Sequence, residues 1–370
     1  MDARLAPFAT TPRLVVKIGS SLLVEGGAIR QTWLASVVAD IAACRADGQQ
    51  VVVVSSGAIA LGARRLKLGK GGRGSLDDAQ AAAAVGQIAL ARAWAELFAG
   101  HGIEAAQILL TLGDLEDRRR YLNVAATLDR LLALGAVPIL NENDSVATQE
   151  IRFGDNDRLA ARSGQAAGAG AVILLSDIDG LYTANPCEPG ATLIPTVARI
   201  DDVAHMADGR SASGLGTGGM AAKIAAARIA VQAGMPLAIV DGRRDHPLTA
   251  FAKTGHGTVF TAESCTSARK AWLAGRLTVA GRLTIDAGAA AALATGKSLL
   301  AAGVVSVDGD FARGDAVEIA HAGSVIARGL TAYDAPDARA IAGARSDAQA
   351  AILGYAPRAA MVHRDQLVMV

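Results

Sequence analysis

The feature that most constrains this chain is a repeated alternation of two kinds of segment. Short β-branched and aliphatic runs occur at 13–18 (RLVVKI), 50–55 (QVVVVS), 105–110 (AAQILL), 136–140 (AVPIL), 171–176 (AVILLS) and 236–240 (PLAIV). Between them lie longer alanine-rich stretches at 32–46, 79–99, 119–134, 157–168 and 220–233. The short runs read as strands buried on both faces, and the alanine-rich stretches read as helices. Strand and helix in alternation predict an α/β fold, a three-layer αβα sandwich around a mostly parallel central sheet.

The pattern changes after residue 262. ESCTSARKAWLA, 263–274, reads as a polar linker. From 275 to 370 the chain offers short strand candidates (LTVA, VVSV, AVEIA, SVIARGL) parted by Gly and Asp turns, then a helical end, DARAIAGARSDAQAAILGY. The expected division is therefore a large α/β domain at 1–262 and a small β-rich domain at 275–370, which suits a length of 370 residues. GKGGRG at 69–74 reads as a mobile loop.

Composition narrows the function. Apolar residues are 51% of the chain but aromatics only 4%, and the longest stretch free of charge, Gly48 to Ala63, is too short and too polar to span a bilayer. The N-terminus shows no secretory apolar core, so the chain is expected in the cytoplasm, with no membrane partner. Cys44, Cys187 and Cys265 are far apart and form no C-x-x-C pair, which predicts reduced thiols and neither a disulfide framework nor a metal site. Lys and Arg total 36 against 35 Asp and Glu, so there is no field to hold nucleic acid. Small-molecule chemistry is the better expectation.

Ligands of parallel sheets gather beyond the carboxyl ends of the strands. There the sequence places Gly19-Ser20-Ser21, Ser56-Gly57-Ala58, Asn141-Glu142-Asn143-Asp144 and Asp177. Lys17 lies inside a buried run, where an ammonium is costly unless it reaches an edge or meets an anion, and the glycine and serine after it favour the anion. GLGTGG at 214–219 formally satisfies G-x-G-x-x-G, but the polar HMADGRSAS before it is no strand. A glycine loop feeding a helix near Met220, its N–H groups aimed at a phosphate, fits better, with Lys223 about one turn in. The acidic and amide cluster at 141–157, around an expected hairpin, could pair an ammonium or orient lysines. ATGKS at 294–298 lacks the leading glycine of a Walker A loop and reads as a turn. YTANP at 182–186 and DRRRYL at 117–122 are compatible with a plain turn and a plain helix face.

These parts suit phosphoryl transfer to a carboxylate. A carboxylate of pKa about 4.3 is already ionised near neutral pH, so no general base is needed. The difficulty is bringing an anion to a polyanion, which positive groups and N–H donors held in place can overcome. Lys17 and Lys223 would grip the migrating phosphoryl from different sides, while Asp157 orients them without taking a proton.

In order along the chain, VVKIGSS, VVVVSSGAIALG, AAVGQ, NENDSVAT, GDND, LLSDIDGLYTANP and SGLGTGGMAAK closely resemble the glutamate 5-kinases of proline biosynthesis, over essentially the whole chain. The tail, with FARGD, IARGL and AILGY, resembles a PUA domain. The resemblance implies the amino-acid-kinase fold, ATP and Mg²⁺ as cofactors, and L-glutamyl 5-phosphate as product. Carried over by motif, Ser56, Gly57, Asn141, Asp144 and Asn156 would hold glutamate. Lys17, Ser176, Asp177 and the run Thr217, Gly218, Gly219, Met220, Ala221, Ala222 and Lys223 would hold ATP. Lys17, Lys223 and Asp157 would act on the phosphoryl, with no protein metal ligands. It further implies proline as feedback inhibitor, hand-over to glutamyl phosphate reductase, and a homo-oligomer, tetramer or dimer. Ser163-Gly164, inside a predicted helix, departs from the pattern and should weaken that helix locally.

Two alternatives compete with this reading. One is a sister kinase acting on N-acetylglutamate, aspartate or a nucleoside monophosphate, against which the PUA-like tail argues. The other is an RNA-binding or regulatory role for the tail. Residues 275–370 hold nine Lys plus Arg and nine Asp plus Glu, so RNA affinity is expected to be weak.

Overall fold

The computed structural model describes residues 2–146, 155–208, 219–262 and 279–369. The linker expected at 263–274 and the glycine loop at 214–218, with Thr217 and Gly218, lie outside the described residues, as do residues 147–154 of the segment 141–157 around the expected hairpin. The chain divides into two compact units, Met1–Glu116 with Val124–Cys265, and Asp117–Asn123 with Thr266–Val370.

In the first unit, eight described strands form one sheet: β1 (Arg13–Ile18), β2 (Gln50–Val54), β3 (Ala105–Leu110), β4 (Val137–Glu142), β5 (Ala171–Ser176), β6 (Thr196–Val197), β7 (Leu237–Asp241) and β8 (Thr258–Phe260). Their order is β6-β8-β7-β5-β1-β2-β4-β3. The central pairs, β7 with β5, β5 with β1, β1 with β2, β2 with β4 and β4 with β3, are all parallel. Only β8 against β7 is antiparallel, and β6 runs with β8. The six predicted strands are all present. The two short strands at one end of the sheet, β6 and β8, were not expected, because runs of two and three residues carry too little pattern to read.

Helices cover both faces. On one side, α1 (Gln31–Ala46), α2 (Ala58–Arg65), α3 (Leu76–Ala99) and α7 (Pro247–Thr254) share a core with Leu14, Val16 and Ile18 of β1, through Trp33, Leu34, Val38, Leu90, Trp94 and Phe251. On the other lie α5 (Asp155–Ala167) and α6 (Met220–Gln232), which pack on each other, with α5 resting on β1, β2 and β5. α4 (Arg118–Ala133) lies between β3 and β4 in sequence. Alternate residues of a strand face opposite ways, so Val15 and Lys17 share the α5 face while their neighbours enter the opposite core. Burial of Leu14, Val15, Val16 and Ile18, each worth about 1.5–3 kcal/mol, is ample to hold this strand in place despite the lysine.

Ser163-Gly164 carries a different meaning in three dimensions from the one its propensity suggests. A Cβ on Gly164 would lie 3.1 Å from Met235 Sδ and 3.4 Å from Val15 Cγ2, so the missing side chain is what lets α5 seat closely on β1. The GKGGRG segment is also more ordered in form than a plain loop. Gly69–Gly72 form a short turn in which Lys70 and Gly71 take positive φ, 50° and 61°, and buried Gly72, at φ +76°, sits where a Cβ would come within 2.8 Å of Ala63 Cβ and 3.1 Å of Ala82 Cβ.

The second unit holds its own five-stranded sheet, formed by β9 (Val279–Ile285), β10 (Val304–Gly309), β11 (Ala316–His321), β12 (Ser324–Leu330) and β13 (Leu367–Met369) in the order β10-β9-β11-β12-β13. Leu283, Phe311, Ile319, Tyr333, Ile341 and Met361 belong to its core. Helices α8 (Ala287–Ala294) and α9 (Ala335–Ile341) start on aspartate caps, Asp286 and Asp334, and α10 (Ser346–Leu353) follows. ATGKS is the turn expected, with Gly296 left-handed at φ +77° after the end of α8. No helix among the described residues is long and apolar enough to cross a membrane.

Candidate active site

Three charged side chains meet beyond the carboxyl end of β1. Lys17 Nζ lies 2.5 Å from Asp157 Oδ1, and Lys223 Nζ lies 3.4 Å from Asp157 Oδ2. Each comes from a different element: β1, the first turn of α5, and the first turn of α6. Relative exposures of 7% for Lys17, 1% for Asp157 and 9% for Lys223 make this a buried cluster rather than a surface pair. Burial alone would raise the Asp157 carboxyl, but the two ammonium groups outweigh it and hold the group below its ordinary value. Burial pushes Lys17 down, Lys223 adds to that, and Asp157 recovers part of the loss. With both lysines protonated, two ammonium groups against one carboxylate leave one positive charge in excess. Asp177 acts on Lys17 only from further off, so the two lysines retain room to take up a substrate anion.

Next to it lies a neutral network. Asn156 Nδ2 donates to Ser56 Oγ at 2.9 Å and to Asn141 Oδ1 at 3.3 Å. Asn141 Oδ1 also accepts from the Glu142 backbone N–H at 2.9 Å, and Asn141 Nδ2 donates to Gln87 Oε1 at 2.7 Å. Ser56 and Gly57 come just after β2, beyond Ser55, Asn141 lies within β4, and Asn156 is the residue before Asp157, so parallel strands and one helix start bring them together. Gly57 is left-handed at φ +106° and opens α2, and a Cβ there would lie 3.0 Å from Val24 Cγ2, so the position favours glycine on both counts. Asp144 is buried close by in sequence, two residues beyond β4.

The nucleotide candidates occupy the end of β5 and the start of α6. Ser176 Oγ donates to Asp177 Oδ1 at 3.2 Å and accepts from the Ile178 N–H at 3.3 Å. Ser21, in the turn after β1, donates to Asp177 Oδ2 at 3.4 Å. Gly219 is the residue before α6, and Met220, Ala221 and Ala222 make its first turn ahead of Lys223.

Some participants were not singled out in the sequence. Gln87 enters the amide network from α3, and only its place in the AAVGQ motif hinted at it. Arg73, in the segment read as a loop, has its guanidinium pKa lowered by burial and partly restored by the charge of Asp144, so it lies within electrostatic reach of that carboxylate. Asp179 Oδ2 accepts from Tyr182 Oη at 3.1 Å and lies 2.8 Å from His256 Nε2. Burial works against the Asp179 carboxylate, yet these bonds keep it below its ordinary value. YTANP, which looked like a plain turn, thus carries one arm of a polar cluster after β5.

Comparison with known proteins gives two family matches: the amino acid kinase family over residues 12–241 and the PUA domain over residues 281–353. The chain is 65% identical to glutamate 5-kinase of Sphingopyxis alaskensis, covering 99% of both chains. It is 62% identical to glutamate 5-kinase of Novosphingobium aromaticivorans, over 99% of this chain and 98% of that one. It is 60% identical to glutamate 5-kinase of Zymomonas mobilis, over 97% of this chain and 91% of that one.

Proposed function

The chain belongs to the amino acid kinase family and carries a PUA domain at its C-terminal end, and on that premise we propose that it transfers the terminal phosphoryl of ATP to the side-chain carboxylate of L-glutamate, giving L-glutamyl 5-phosphate, the first step of proline biosynthesis. The observation that carries this reading is the meeting of Lys17 and Lys223 on the two oxygens of Asp157.

The chemistry follows from that charge excess. Glutamate arrives with its side chain already ionised, so the protein supplies no base and only has to lower the repulsion between carboxylate and triphosphate. Lys17 and Lys223 face the phosphoryl as it passes from leaving to attacking oxygen, and they bind it best when its charge is spread over the equatorial oxygens. Asp157 keeps the two ammonium groups aligned and stays ionised throughout. Ser56, Gly57, Asn141, Asp144 and Asn156 hold the amino acid. Ser176, Asp177 and the run from Thr217 to Lys223 hold the nucleotide.

Mg²⁺ belongs to this reading as the metal of MgATP, neutralising phosphate charge. The fit is with an ion carried chiefly by phosphate oxygens, because no three His, Cys, Asp or Glu side chains among the described residues gather to hold one. Proline as feedback inhibitor, hand-over of the labile acyl phosphate to glutamyl phosphate reductase, a dimeric or tetrameric state and a cytoplasmic setting complete the proposal.

The test is a hydroxamate assay with purified protein, ATP, Mg²⁺ and hydroxylamine. Glutamate should give the hydroxamate, while aspartate and N-acetylglutamate give little. Turnover of aspartate without turnover of glutamate would overturn the substrate assignment.

A further inference from the structure

We propose that Gln87 is a positioning residue that fixes which way the Asn156 amide points and thereby selects an amino acid over the same dicarboxylate without its amino group. The inference rests on the glutamate reading above and assigns a role to a residue outside the candidate set.

The relay starts from one backbone group. The Glu142 N–H can only donate, and it points at the Asn141 side chain at 2.9 Å, so the atom facing it must be Oδ1. That sends Asn141 Nδ2 the other way, where it meets Gln87 at 2.7 Å, and the Gln87 atom there must be the acceptor Oε1. Asn156, 3.3 Å from Asn141 Oδ1, must then present Nδ2, which also reaches Ser56 Oγ at 2.9 Å. With its amide hydrogens so engaged, Asn156 has one polar atom left. Oδ1 is buried and has no hydrogen-bond partner among the described residues.

A buried acceptor without a donor is costly, and a substrate ammonium is the donor that would satisfy it. Reversing the Asn156 amide would set its oxygen against Asn141 Oδ1 and turn N–H groups toward the same place, repelling an ammonium. The relay from Gln87 opposes that reversal. Asn141 is only 2% exposed, so without Gln87 its Nδ2 would lose its acceptor, and the amide would be held through Oδ1 alone.

Gln87 is also held firmly. It follows Gly86, the point where α3 touches α2, and a Cβ on Gly86 would lie 1.8 Å from the Ala58 carbonyl oxygen. Ala58 in turn follows the Ser56-Gly57 pair, so the contact joins both ends of the relay to the same helix crossing.

The test compares KM for glutamate with the competitive inhibition constant of glutarate, which has both carboxylates but no ammonium. Gln87→Met, nearly the same shape without the acceptor, should raise KM for glutamate about tenfold, the size of one hydrogen bond, and leave the glutarate constant and KM for ATP within about twofold. Gln87→Glu keeps an acceptor and should keep the glutamate-to-glutarate ratio, even where its charge weakens both acids alike. Because Gln87 acts through Asn156, Gln87→Met combined with Asn156→Ala should be no worse for glutamate than Asn156→Ala alone. Equal weakening of both acids by Gln87→Met, or additive effects in the double variant, would overturn the role of Gln87 while the glutamate reading stands. A wild-type enzyme that binds glutarate as well as glutamate would overturn the selection for the amino group, whereas the glutamate reading itself falls only if the hydroxamate assay shows no turnover of glutamate.

Discussion

Asn156 and Asp157 are adjacent in the first turn of α5, yet they serve regions of opposite character. Asp157 joins two lysines in a buried cluster governed by charge, with contacts at 2.5 and 3.4 Å and one positive charge in excess. Asn156 joins Ser56, Asn141 and Gln87 in a network without formal charge, where the direction of each donor and acceptor is what matters. A step of one residue along a helix turns the side chain by about 100°, because 3.6 residues complete a turn, and that is enough to place the two side by side in different surroundings. The two regions divide the labour. The charged region can pull on a phosphoryl group but cannot tell one carboxylate from another, whereas the amide region can read a substrate but has no means to stabilise a migrating anion.

The largest effect should come from breaking the charged region. Asp157→Ala leaves two ammonium groups buried without their carboxylate, and the loss should be about 3–5 kcal/mol in equilibrium urea unfolding, together with near-complete loss of turnover. A loss below about 1 kcal/mol would mean that the lysines find other partners and that the cluster is less closed than its burial suggests.

A smaller effect is expected where the two helices that frame the amide region touch. Gly86→Ala would force a Cβ into the Ala58 carbonyl, so α2 and α3 must separate, at a cost of about 1–3 kcal/mol. Because the shift moves Gln87 and the Ser56-Gly57 turn but not the lysines, KM for glutamate should rise about threefold to tenfold with KM for ATP little changed. A fall in kcat with both KM values intact would show that the two regions are mechanically one, and the comparison would fail.

The charged region was the more legible of the two. Lys17 stands out as a cation inside an apolar run, Lys223 follows a glycine loop by one turn, and Asp157 lies in an acidic cluster, so each announces a cost that demands a reason. Period-two alternation even predicts that Lys17 shares a face with Val15, the face that α5 covers. The amide region is harder to read because its key contact depends on how closely two helices approach. Gly62 and Gly86 look like ordinary helix-weakening glycines in the sequence, and only the crossing of α2 and α3 shows that each stands where a Cβ would meet backbone at 1.8 Å. Gly164 likewise shows only in three dimensions that, besides its cost in helix propensity, it lets α5 seat on β1. Strands β6 and β8 are too short for any periodicity, and Arg73 feels the charge of Asp144 across a separation that no local pattern records.

The central claim, that neighbouring residues feed a charge-stabilising region and a substrate-reading region, is tested most directly by steady-state kinetics of Lys223→Ala beside Asn156→Ala. Lys223→Ala should lower kcat by about 10²–10³ and leave KM for glutamate within about threefold, as expected for a contact made mainly in the transition state. Asn156→Ala should do the reverse, raising KM for glutamate with kcat much less affected. If both variants lowered kcat alike, or if Lys223→Ala acted only on KM, the division between the two regions would be contradicted.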